Sequence, residues 1–112
     1  MLAKKYCLKG KANFEKVFKQ GSKCFIELFG IRMLKNNLGY SRFGIIISSK
    51  ISKKAVVRNK IKRRISEIFR LNLKNFRSGF DVIIICRKPI LEVTYQDIEK
   101  EILSSTKKLR LM

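Results

Sequence analysis

The chain has no histidine, no tryptophan, one proline and only 8 acidic residues among 112. Without histidine it lacks the commonest general base and a common metal ligand. Its few carboxylates form no convincing acid–base pair, so hydrolytic chemistry carried by the chain itself is not expected. Asp81, Glu92, Asp97, Glu99 and Glu101 read instead as helix-dipole and surface residues. Cysteine is scarce too. Cys7, Cys24 and Cys86 are odd in number and widely spaced, which fits neither a disulfide framework nor a zinc site. They read as reduced thiols of a cytosolic protein. No apolar run approaches the roughly 18 residues of a membrane helix, and no secretory segment is evident. Gly39 and Gly44 do not make a phosphate loop. The expectation is a soluble cytoplasmic protein with no bound metal or cofactor, no membrane and no small-molecule substrate.

What is abundant is positive charge. Lys and Arg total 27, for a net charge of +19. Self-repulsion on this scale disfavours a compact state unless a polyanion is near. Nucleic acid best fits cations clustered in a folded domain. An acidic protein and an anionic membrane surface are the alternatives. Hydrophobic residues make up 46%, too many for a disordered basic tail. Residues 1–112 therefore read as one domain, with 1–7 as a flexible basic arm.

Apolar periodicity outlines the elements. Phe14, Val17 and Phe18 share a face and predict a helix over 12–19, capped near Asn13 and stopped at Gly21. Residues 22–34 read as a strand with Gly30 at a bulge or bend, and with Phe25 and Phe29 facing one side. Residues 36–39 carry turn chemistry, and 42–48 read as a further strand closing a hairpin with the first. Over 55–72, Val57, Ile61, Ile65, Ile68 and Phe69 form the stripe of an amphipathic helix. Residues 80–87 are almost wholly apolar, as in a central strand covered on both faces and ended by Pro89. Thr94 and Asp97 resemble a capping box. They open a last helix with Ile98, Ile102 and Leu109 inside and Lys107, Lys108 and Arg110 at its end. Two or three strands precede the basic helix. The order taken is α-β-β-β-α-β-α, an α+β fold: a single-domain α/β sandwich whose mixed sheet is crossed by a basic helix.

The central motif is Arg58-Asn59-Lys60-Ile61-Lys62-Arg63-Arg64. Lys and Arg suit phosphate, Arg adds forked donors, and Asn can donate and accept toward a ribose or base. The bland alternative is a solvated charged face. Against it, Glu67 is the sole acid between Lys50 and Arg70, so repulsion along the helix is hardly relieved. Phe14 and Phe18 read from periodicity as core, and alternatively as a stacking platform for an unpaired strand.

The stretch Ala55-Val56-Val57-Arg58-Asn59-Lys60-Ile61-Lys62-Arg63 with Phe69-Arg70 resembles the signature of the bacterial ribonuclease P protein subunit. Phe14-x-x-Val17-Phe18-x-x-Gly21 is similar to that family's first-helix motif. Arg42-x-Gly44 with Ser49-Lys50, and 81–89 followed by Thr94-Tyr95, resemble its later strands and last-helix start. The resemblance implies a fold like that of domain IV of elongation factor G. It implies a ribonucleoprotein in which a catalytic RNA and its Mg²⁺ ions remove the 5′ leader of precursor tRNA. By the same resemblance, Arg58, Asn59, Lys60, Lys62, Arg63, Arg64, Lys50 and Lys54 contact the catalytic RNA, and Phe14, Phe18 and Arg42 contact the leader. Three positions depart from the pattern: Lys60 for a usual Arg, Ser66 where many members carry Arg, and Lys53 for a usual Gly. A ribosomal or other structural RNA-binding protein remains the rival class.

Overall fold

The computed structural model describes residues 2–109 and 111. The elements are α1 (Lys11–Gln20), β1 (Ser22–Phe25), β2 (Phe29–Lys35), β3 (Arg42–Ile46), α2 (Ala55–Leu71), β4 (Phe80–Cys86) and α3 (Tyr95–Lys108). The α+β sandwich and element order are as expected. Arg110, read as part of the last helix's basic end, lies outside the described residues.

The sheet order is β1-β2-β4-β3. β4 pairs antiparallel with β2 and parallel with β3, so α2 makes the crossover between the parallel neighbours β3 and β4. The expected hairpin between the 22–34 stretch and 42–48 does not form, because β4 lies between them. The physical reason is burial. Val82, Ile83 and Ile84 are each at most 1% exposed, a run that needs cover on both faces and so takes the middle of the sheet.

The 22–34 stretch is two strands rather than one. The chain reverses at 26–28, closed by Ile26 N–H donating to the Phe29 carbonyl at 2.9 Å. The reversal puts Phe25 and Phe29 on opposite sides. Phe29 is fully buried, whereas Phe25 is 54% exposed and lies across Gly30.

One face of the sheet packs on α2 and α3, whose Ile61, Ile65, Ile68, Phe69, Ile98 and Ile102 are buried. Phe43 stacks on Phe69 with ring centroids 4.3 Å apart, and Phe76 tilts against both. Among the described residues, α1 is the one helix on the other face. Its smaller cluster joins Leu8, Val17 and Ile83, with Phe14, Phe18, Ile46 and Ile85 at its margin.

The Thr94–Asp97 capping box forms, with Asp97 N–H donating to Thr94 Oγ1 at 3.2 Å and Thr94 N–H to Asp97 Oδ2 at 3.3 Å. No side chain caps α1. Gly10 precedes it, and Asn13 Nδ2 donates back to the Lys9 carbonyl. The segment read as an arm is partly docked. Lys4–Tyr6 form a 3₁₀ turn, Cys7 bridges Phe43, and Leu8 N–H donates to the Phe43 carbonyl at 2.8 Å.

Candidate nucleic-acid interface

Helix α2 is fastened by its apolar stripe, so its cations are pushed to the two margins of that stripe. Successive residues turn by about 100°, which divides the basic motif into two flanks rather than one row. Lys60, Arg63 and Arg64 lie on one flank, where with Glu67 and Tyr95 they line a hollow of about 380 Å³. Arg70 hydrogen-bonds Glu67 and holds its carboxyl down to about 2, so Glu67 is ionised at neutral pH. Burial raises the Tyr95 hydroxyl, aided by the negative charge of Glu99 and Glu67.

Arg58 and Lys62 lie on the other flank. Arg58 Nη1 donates to the Ser52 carbonyl at 2.7 Å, so part of its fork ties the preceding loop to the helix. Lys62 acts electrostatically on the Cys86 thiol, which burial nevertheless pushes up to about 12. Asn59, Lys50 and Lys54 are exposed, and Lys54 stands at the N-cap of α2. The first turn of α2 holds no acid and no side-chain cap, so the positive end of its dipole adds to these lysines.

The second surface lies between α1 and the open face of the sheet. Val17 is fully buried while Phe14 and Phe18, on either side of it in the helix stripe, are half-buried. The Phe14 ring rests on Gly44, where a Cβ would stand 2.7 Å from the ring. This explains the glycine of the Arg42-x-Gly44 pattern.

Arg32 completes this wall and was not singled out from the sequence. Its Nη1 donates to the Phe18 carbonyl at 3.0 Å, and its guanidinium carbon lies 5.2 Å from the Phe18 centroid and 6.0 Å from that of Phe25. Its Nε is buried without a partner. Only the reversal at 26–28 would have revealed Phe25 and Arg32, because it sets Phe25 opposite Gly30 and Arg32 opposite Lys23.

Arg42, grouped by resemblance with the two phenylalanines, is committed elsewhere. Its Nε and Nη2 donate to both oxygens of Asp81 at 2.8 and 2.7 Å. That bond raises the Arg42 pKa further. Asn36 Nδ2 also donates to Asp81, at 2.9 Å. Asp81 is thus a buried strand residue holding an ion pair, not the surface acid expected.

Among the described residues no three His, Cys, Asp or Glu side chains come together in a group that could hold a metal ion. No helix among them is long and apolar enough to cross a membrane.

The Ribonuclease P family model matches residues 2–110. The ribonuclease P protein component of Clostridioides difficile is 37% identical over 102 residues, covering 90% of this chain and 89% of the relative. Among solved structures, a Staphylococcus aureus RNase P protein mutant with defective mRNA degradation activity superposes with a TM-score of 0.91. It is 29% identical, covering 97% of this chain and 92% of that one. The RNase P protein of Thermotoga maritima gives a TM-score of 0.84 at 35% identity, covering 91% and 96%. Sequence and fold agree over nearly the whole length, and the chain belongs to the ribonuclease P protein family.

Proposed function

We propose that this chain works as the protein component of a ribonuclease P ribonucleoprotein, binding its catalytic RNA and the 5′ leader of precursor tRNA. The two cationic flanks of α2, with Lys50 and Lys54, meet the phosphates of the catalytic RNA. The groove of Phe14, Phe18 and Arg32 takes the single-stranded leader, with bases against the rings. Arg42 supports this wall through Asp81 rather than touching RNA. Endonucleolytic removal of the leader belongs to the RNA and its Mg²⁺, and no step passes through a metal or a catalytic side chain of this protein. The protein's contribution is to lower phosphate repulsion and to hold the leader, so that less Mg²⁺ is needed.

The observation that carries the reading is the contrast within one helix stripe. Val17 is fully buried, while Phe14 and Phe18 keep part of their rings open on a sheet face that no second helix among the described residues covers.

The test is cleavage of a leader-bearing precursor tRNA by the cognate catalytic RNA at low Mg²⁺, with and without the protein. Addition should switch on correct 5′ processing. Phe14→Ala with Phe18→Ala should weaken binding of the leader-bearing precursor and spare mature tRNA. Tight RNA binding with no gain in processing would reduce the protein to a generic RNA-binding domain.

A further inference from the structure

A third surface stands at the end of the sheet away from the start of α2. It is a hollow of about 370 Å³ whose lining includes Lys5, Tyr6, Tyr40, Lys74 and Arg77. That volume falls in the range of small-ligand sites, about 300–1,000 Å³. Arg58 and the C-terminal end of α2, beside the hollow, are separated by about 20 Å at the helical rise.

The hollow is held open by the fold. Ser41 Oγ donates to the Arg77 carbonyl at 2.6 Å and accepts from Phe80 N–H at 3.0 Å, joining its two walls. The tyrosines meet edge to face, with centroids 6.0 Å apart. Lys5 Nζ lies 4.7 Å from the Tyr40 centroid and 5.5 Å from that of Tyr6. Lys5, Lys74 and Arg77 are exposed, and among the described residues no carboxylate lines the hollow or pairs with them.

Two half-buried rings beside three cations that have no side-chain counter-ion among the described residues are the elements of a base-stacking and phosphate site. We infer that this hollow binds one unpaired RNA nucleotide, its base on the tyrosines and its phosphates on Lys74 and Arg77. Lys5 leaves the face of Tyr40 and moves to the neighbouring phosphate. The inference rests on the proposed role in ribonuclease P. It adds a contact that neither the basic helix nor the phenylalanine groove supplies. The nucleotide comes from the catalytic RNA or from the precursor tRNA.

The test uses the assembled holoenzyme. Lys74→Gln with Arg77→Gln changes only exposed side chains. It should weaken RNA binding and flatten the log–log salt dependence by about 1.4, or about 0.7 per lost single-strand phosphate. Tyr40→Leu, with its fold checked by melting, should weaken binding about 5- to 160-fold. 4-Thiouridine placed in either the catalytic RNA or the precursor identifies the source by its adduct on Tyr6 or Tyr40. An unchanged salt slope in the Gln pair, or no tyrosine adduct in either arm, overturns the inference while RNA binding by the unaltered protein leaves the proposed function standing. Failure of the unaltered protein to bind RNA removes both.

Discussion

Replacing Gly44 by alanine isolates the groove from the rest of the molecule. Gly44 has no unusual backbone conformation, so alanine is tolerated locally, and the consequence falls on Phe14. The new Cβ would stand 2.7 Å from the ring, against an ordinary contact of 3.4 Å or more, so Phe14 must retreat from the sheet by about 0.7 Å. Overpacking of this size costs about 1–3 kcal/mol, against a stability of about 5–15 kcal/mol for a domain of this kind. The variant therefore folds, with its groove reshaped. One stacked base contributes about 1–3 kcal/mol, so the leader-bearing precursor should bind about 5- to 160-fold more weakly. Mature tRNA, having no leader, should bind as before.

The assay is equilibrium binding of both tRNAs to holoenzyme, with melting of the free protein alongside. Phe14→Leu supplies the control. Once the ring is gone, Gly44→Ala should add little, the non-additivity expected of two residues in contact. Unaltered affinity for the precursor, or equal losses on both tRNAs, would refute the steric argument and the leader groove with it.

Other outcomes follow from the same geometry. Lys60→Gln with Arg63→Gln should flatten the salt dependence of catalytic-RNA binding by about 1.4–1.8, and an unchanged slope would mean that this flank meets no phosphate. Asp81→Ala strips the carboxylate from the Arg42 guanidinium and the Asn36 amide. It should cost about 3–5 kcal/mol, seen as a melting temperature lower by at least about 10 °C. Asp81→Leu with Arg42→Met should recover most of that loss. The Glu67 carboxyl is depressed to about 2 from 4.5, so its pairing with Arg70 favours the fold above pH 4.5 and is lost as the pH falls toward 2. Melting between pH 2 and 6 should show a shallower acid limb for Glu67→Gln, and superimposable curves would contradict the pairing.

Local features of the chain were legible without the structure. The three helices appear in their 3.6-residue stripes, and their observed bounds differ from the periodic reading by a residue or two. Thr94 and Asp97 announce the start of α3, because a capping box needs only residues three apart. The run at 82–86 declares a strand covered on both faces, whatever its partners. The motif at 58–64 and the charge of +19 point to nucleic acid through composition alone.

What stayed hidden depends on residues distant in sequence. β4 enters between β2 and β3 because the doubly apolar strand takes the centre, which no turn signal at 36–39 can override. The alternation along 22–34 misleads because it continues through a reversal, which sets Phe25 and Phe29 on opposite faces and brings Arg32 beside Lys23. Arg42 looks like a free cation until Asp81, 39 residues later, is brought beside it. Tyr6 and Tyr40 show no pattern at all, and only the docking of the N-terminal segment brings their rings together. Periodicity and composition determined which segments fold and how much charge the protein carries. Burial of the sheet decided which cations and rings stay exposed, because pairing and packing consume some of them and leave others at the surface.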